Sequence, residues 1–226
     1  MSAPRLVIGN RNYSSWSLRP WLLLRHFGVS FEVERIVLDQ PDTAARIREF
    51  SPSGRVPVLV DGGLTIWDSL AICEYANERW LDGAGWPDIR EARAVARSVS
   101  AEMHSGFPAL RAELPMNIRA RGRRVSPSAA AAADIRRVGR LVADARGRFG
   151  DDGPWLFGGF SIADAMYAPV ASRFATYGVE AGEAADAWCA TVLGHPALRE
   201  WSEAAVAEAE IIDADERGEQ DKGGVA

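Results

Sequence analysis

The feature that most constrains this fold is a change of grammar near residue 85. Before it, short strand-like and helix-like pieces alternate. After it come long helical segments with no convincing strand pair. In the first part "RLVIG" is a short apolar strand candidate, and "SLRPWLLLRHFG" has broad helical apolarity ending at Gly28, a C-cap residue type. "FEVERIVL" is β-rich, and "DTAARIREF" reads as a short helix begun by Asp42 or Thr43. "VPVLVDGGLTIW" is two strands around an Asp-Gly-Gly turn, a strong hairpin signal, and "DSLAICEYANERW" is a helix opened by Asp68 or Ser69. The order β-α-β-α-β-β-α belongs to a small α/β sandwich, not to a doubly wound sheet. From about Ile89 the segments "REARAVARSVSAEMHSGF", "SPSAAAAADIRRVGRLVADARGRFG", "SIADAMYAPVASRFATYG", "AADAWCATVLG" and "PALREWSEAAVAEAEII" read as a helical bundle.

With 226 residues the chain suits one large domain or two small ones. The expected division is 1–80 for the α/β part, 89–212 for the helical part and 213–226, polar and Gly-containing, for a frayed tail. A net charge of −5 does not invite nucleic acid, and the basic cluster Arg119 to Arg124 reads as a solvated loop because no aromatic residue interleaves it. No apolar run approaches the ~18 residues of a membrane span, and no secretory signal opens the sequence. Cys73 and Cys189 form no CxxC pair, which fits a reducing cytoplasm. His26, His104 and His195 are isolated and without metal-ligand spacing, so no metal is expected.

Three stretches of the first part could carry chemistry. "NYSSWSLRP" places three serines between a strand and a helix, where backbone N–H groups and the helix dipole create an anion site. A serine hydroxyl there could donate to a bound thiolate; such a charge-assisted bond contributes roughly 1.5–3 kcal/mol, or about one to two units of pKa. The competing reading is an N-cap with turn serines. Pro20 suits a first helical turn if Ser17 is the cap. In "RVPVLV" a cis Val56–Pro57 bond would turn the chain and expose the Val56 backbone, although cis occurs at only about 5–6% of X–Pro bonds. In "WDSLAI", Asp68 and Ser69 at a helix start can hold a carboxylate and an ammonium together, or be an ordinary cap.

Taken in order and spacing, the serine loop, "VPVL" near residue 57 and "DSLAICEYA" resemble the N-terminal, thioredoxin-like domain of cytosolic glutathione transferases. "GPWLFGGFSIADAMYAPVASRF", with Ser161 and Asp164 as a capping box, resembles a helix start in the helical domain of that family. The likeness covers about residues 5 to 205, and "SSWSLR" is most similar to the zeta-type pattern "SSCSWR". The resemblance implies a thioredoxin-like domain followed by an α-helical bundle, with glutathione as co-substrate, a small hydrophobic electrophile and a homodimer. It implies that Ser14 or Ser15 donates to the thiolate, with Trp16 walling the pocket. The zeta-type pattern points to Ser14, whereas counting back four residues from Arg19 favours Ser15. Val56, before Pro57, would pair its backbone with the cysteinyl part of glutathione. Asp68 and Ser69 would take the γ-glutamyl end, and Arg55 the glycine carboxylate. Met103, His104, Phe107 and Arg111 would line the electrophile pocket. Trp16 stands where the zeta-type loop has cysteine, so chemistry through a protein thiol is not expected there. A non-catalytic binding protein on the same fold, and a glutathione-dependent isomerase of the maleylacetoacetate type, are the alternatives.

Overall fold

The computed structural model describes residues 3–220. Its first strand, β1 (Arg5–Ile8), is buried along all but its first residue. It leads through the serine loop into α1 (Ser15–His26). Then come β2 (Glu32–Arg35), α2 (Thr43–Arg48), β3 (Val58–Asp61), β4 (Leu64–Trp67) and α3 (Ser69–Arg79). The sheet order is β2-β1-β3-β4, with β1 parallel to β2 and β3 antiparallel to both its neighbours. The hairpin closes where Asp61 pairs with Leu64, and Gly62 supplies a φ of 58° that a side chain would resist. One apolar face of the sheet packs Leu6, Ile8 and Leu59 into the main core with α1 and α3; Val7, Ile36, Ile47 and Val58 form a small cluster on the other face.

The second part consists of α4 (Arg90–Ser105), α5 (Pro108–Glu113), α6 (Ala129–Phe149), α7 (Ile162–Tyr177), α8 (Glu183–Gly194) and α9 (Pro196–Val206). α7 is the axis of the bundle: of its 16 residues all but one are buried, and it packs against α1 of the first part as well as α4 and α8. Its start is the expected capping box. Asp164 is fully buried and accepts from the Ser161 N–H at 3.0 Å, the Leu156 N–H at 3.0 Å and the Trp188 indole at 2.9 Å.

Two expectations fail here, and for one reason. Residues 213–220 are not frayed: Asp213–Asp215 form a 3-10 turn, and β6 (Glu219–Gln220) pairs with β5 (Arg123–Arg124). The basic stretch is not simply solvated either. Glu216 accepts from the Tyr13 hydroxyl at 2.7 Å, Asn117 at 2.8 Å and Arg123 at 2.5 Å. Arg119 donates to the Tyr13 hydroxyl and to the Glu208 and Glu210 carbonyls. A polar segment without apolar periodicity can still be held by ionic hydrogen bonds to a distant loop, which periodicity does not reveal. Residues 221–226 of the expected tail lie outside the described residues.

Candidate active site

Ser14 is the N-cap of α1; its hydroxyl oxygen accepts from the Ser17 N–H and lies 2.7 Å from the Ser17 hydroxyl. Pro20 therefore sits in the second turn, not the first as a Ser17 cap would have placed it. The Ser17 oxygen already accepts from the Gly9 N–H at 3.1 Å. When Ser17 donates to Ser14, the Ser14 hydrogen is left to point outward, into a cleft of about 880 Å³ that Ser14 lines. Ser15, which the spacing to Arg19 favours, is turned the other way. It accepts from Arg173 of α7 at 3.3 Å, and it does not line the cleft. A one-residue step along a helix start rotates the side chain by about 100°, so only one of two adjacent serines can face a given cleft.

The second helix start on the cleft is α3. Asp68, at φ 78° and ψ 133°, caps it by accepting from the Leu70 and Ala71 N–H groups at 2.9 and 3.2 Å. A positive φ at a residue with a Cβ is costly, of order 1–3 kcal/mol, and it persists only where the surroundings enforce it. The Asp68 carboxylate spends its second oxygen on His104 of α4, 2.5 Å away, and this contact joins the two parts of the molecule across the cleft mouth. Ser69 is buried, and its oxygen accepts from Arg19 at 3.3 Å, leaving its own hydrogen and its backbone N–H for the cleft. Val56 and Pro57, joined by a cis peptide bond, complete the wall with exposed Arg55, whose guanidinium forms no ion pair among the described residues. The cleft thus carries two helix N-termini, hydroxyls from each and the Arg55 guanidinium.

Of the residues expected to line an electrophile pocket, only His104 borders the cleft. Met103 and Phe107 are core residues. Arg111 lies behind Trp16, donating to the Met103 and His104 carbonyls. Trp16 itself is half-buried, with the Arg19 guanidinium 4.2 Å and the Arg111 guanidinium 4.9 Å from a ring centroid, and with His104 edge-on. The sequence reading missed Tyr13, Leu38, Thr43 and Trp67 of the cleft, and also the Arg19–Ser69 bond. Neither cysteine offers a nucleophile: burial pushes the Cys73 thiol up, and that of Cys189 up to about 12.

A four-stranded mixed sheet with helix N-termini facing a helical bundle defines the two-domain thioredoxin-fold class. Family models agree: residues 13–79 match the N-terminal domain of glutathione S-transferase, and residues 128–204 match its C-terminal domain. The chain belongs to the glutathione S-transferase family. A probable maleylacetoacetate isomerase of Caenorhabditis elegans is 33% identical over 100 residues, 44% of this chain and 46% of that protein. A dichloromethane dehalogenase of Methylorubrum extorquens is 54% identical over 37 residues, 16% of this chain and 12% of that protein. The matched regions therefore span less than half the length of either relative. A theta class glutathione S-transferase of Xanthomonas axonopodis, solved with glutathione bound, superposes with a TM-score of 0.64 at 25% identity, covering 92% of this chain and 99% of that one. A Burkholderia glutathione transferase homolog with bound glutathione gives 0.69 at 22% identity, covering 90% and 98%.

Proposed function

We propose that the protein is a glutathione transferase that forms the glutathione thiolate in this cleft and directs it at a small electrophile. The observation that carries the reading is the convergence of Ser14 and Ser69, each at a helix N-terminus, on one cleft that Val56 also lines. In this reading Ser14, not Ser15, donates to the thiolate. Its orientation rests on Ser17, and the positive end of α1 adds to the stabilisation. The backbone of Val56 pairs with the cysteinyl unit. Ser69, held by Arg19, donates to the γ-glutamyl carboxylate, while Asp68 receives its ammonium. Arg55 meets the glycine carboxylate at the rim. The thiolate sulfur attacks an electrophilic carbon, a C–S bond forms, and the leaving group departs with its electron pair.

Two further parts of the reading concern the whole protein. Free, buried Cys73 and Cys189 suit a reducing cytoplasm. A homodimer, with the first domain of one chain against the helical half of the other, is supported by the edge strand β4, which leaves Leu64 and Trp67 half-exposed. The isomerase relative favours a second reading, glutathione-dependent isomerisation, against which Trp16 stands in place of the zeta-type cysteine. Titration calorimetry with glutathione, followed by assays with chlorodinitrobenzene and with maleylacetoacetate, separates the three cases. Thioether formation with chlorodinitrobenzene is expected. Absence of glutathione binding refutes both enzyme readings, and isomerisation without conjugation selects the second.

A further inference from the structure

The C-terminal segment uses only part of the basic loop between α5 and β5 that holds it. Arg119, Arg121 and Arg123 line one cavity of about 460 Å³, with Ala209, Ile211 and Glu216 among its other walls. No residue lines both this cavity and the candidate active-site cleft. The three guanidinium groups differ in what they already hold. Arg123 pairs with the Glu216 carboxylate at 2.5 Å and donates to the Gly218 carbonyl at 3.1 Å. Arg119 donates to the Tyr13 hydroxyl and to the Glu208 and Glu210 carbonyls, all of them neutral acceptors. Arg121 is exposed and bonds only the Ile118 and Ala120 carbonyls of its own loop, both through Nη1. Its Nε and Nη2 donors have no partner among the described residues.

The carboxylates nearby are already committed. Glu208 lies 3.6 Å from both Arg11 and Arg35, Glu210 lies 2.9 Å from Arg35, and Glu216 is the partner of Arg123. Among the described residues no carboxylate comes within ion-pair distance of Arg119 or Arg121. The cavity therefore presents two guanidinium charges without a counter-ion, in a protein whose net charge is −5. Holding residues 213–220 accounts for Arg123 and, through Tyr13, for Arg119. It does not account for Arg121, which makes no hydrogen bond or ion pair to that segment.

We propose that this cavity binds a small organic phosphate, its phosphoryl group on Arg119 and Arg121 and its carbon skeleton against Ile211 and Ala209. A phosphate monoester carries about −1.5 to −2 at pH 7 and so answers two guanidinium groups, where a carboxylate answers one. The guanidinium fork also matches phosphate oxygens, to which it donates paired hydrogen bonds. The volume exceeds what an inorganic ion fills, and Ile211, 62% exposed, gives the remainder an apolar wall. No aromatic residue lines the cavity, so a nucleobase has nothing to stack on, which sets the ligand apart from a nucleotide. Such a site is independent of the transferase reading, since it lies outside the cleft that reading uses.

Titration calorimetry of the full-length protein with monobutyl phosphate, inorganic phosphate and pentanoate tests this. Monobutyl phosphate is expected to bind about tenfold more tightly than pentanoate, as one further charge-assisted hydrogen bond would give. It should also bind at least threefold more tightly than inorganic phosphate. Equal affinity for monobutyl phosphate and pentanoate overturns the proposal, as does absence of binding by either phosphate at millimolar concentration. Arg121→Gln should weaken monobutyl phosphate about tenfold at an unchanged melting temperature, with Arg121→Lys in between. An affinity untouched by Arg121→Gln removes the ligand from this cavity. Ile211→Ser should abolish the advantage over inorganic phosphate, and it decides the matter if Arg121→Gln proves unstable; a surviving advantage overturns the proposal. Saturating glutathione should leave the affinity within threefold, whereas displacement would put the phosphate in the cleft and refute the separate site. Phosphatidic acid vesicles present the same monoester and are expected to bind the protein no better than phosphatidylcholine vesicles. Enrichment on them would make the ligand a lipid headgroup and overturn the small-molecule reading.

Discussion

At the residue scale, two adjacent serines with the same chemistry have different surroundings. Ser14 lines the cleft with its oxygen at the start of α1, and its hydrogen is free for the cleft when Ser17 donates to it, while Ser15 is bonded to Arg173. Replacing Ser14 by alanine should raise the apparent thiol pKa of bound glutathione by about one to two units, since one hydrogen bond to a charged group contributes roughly 1.5–3 kcal/mol. It should also cost about 1 kcal/mol of stability as a lost cap. Ser15→Ala should lower stability by disturbing the seam with α7 and leave that pKa in place. Thiolate absorbance against pH, read on both variants, checks this; a shift confined to Ser15→Ala would reverse the assignment. The cleft was legible in sequence as far as residue types went: serine loop, Val56–Pro57 and Asp68–Ser69 all reach it. Which serine faces it was not, because both spacings are compatible with one loop, and the choice is made by Arg173, more than 150 positions away. Met103 and Phe107 were misplaced for a related reason. Apolar residues facing a cleft and facing a core carry the same pattern; α4 turns Met103 inward, and Phe107, the residue before α5, is buried with it.

At the scale of elements, helix termini are where this fold is most exposed to single changes. The start of α7 hangs on Asp164, whose carboxylate takes three buried donors besides the Ser161 hydroxyl. The S-x-x-D spacing made this terminus readable in advance, whereas the Trp188 bond from α8 was not. Asp164→Ala strands the donors, and at about 1–3 kcal/mol for each unsatisfied buried group the loss should reach at least about 3 kcal/mol. Denaturant unfolding measures it, and a loss below 1 kcal/mol would mean the terminus is held otherwise. A second junction escaped the sequence reading because its members lie 169 positions apart. His26, at the end of α1, sits 2.8 Å from His195, the cap of α9, and stacks on Phe160 at 4.0 Å. Burial and then the neighbouring His195 lower His26 to about 4, and burial lowers His195. Because the unfolded chain takes up these protons near pH 6.5 and the native pair resists them, stability from the pair is present above that pH and falls between 6.5 and about 4. Asp164, pushed up to about 6 by burial, acts in the opposite sense over much of that window. The pair is therefore read by difference: melting temperature of the unmodified protein minus that of His26→Phe, which keeps the ring stack, should become more negative from pH 7 to pH 5. A difference independent of pH would remove the histidines from the account.

At the scale of the whole molecule, segments remote in sequence close the structure around the cleft. Residues 213–220 lock Tyr13, at the cleft wall, to the loop containing Asn117, Arg119 and Arg123. Deleting 213–226 leaves Tyr13 and Arg123 without Glu216, their acidic partner. With about 1–3 kcal/mol for each buried group deprived of its bond and ~2–4 °C per kcal/mol at this size, the melting temperature should fall by roughly 5 °C or more. An unchanged value would return the segment to the status of a tail. Assembly is the remaining question at this scale. Among the described residues the sheet ends at β4, whose outer edge has no strand beside it, and β4 leaves Leu64 at 50% and Trp67 at 51% exposure. An open edge with large apolar side chains is a liability in a monomer unless a partner covers it. In the proposed homodimer the helical half of a second chain does so. Sedimentation at micromolar concentration is expected to give a species of twice the 24.5 kDa chain mass. Leu64→Arg places a charge on that edge, away from the residues that line the cleft, and should shift the equilibrium toward the single chain with its fold intact by circular dichroism. A protein that sediments only as a single chain before any substitution contradicts the dimer; a dimer indifferent to Leu64→Arg moves the interface off β4.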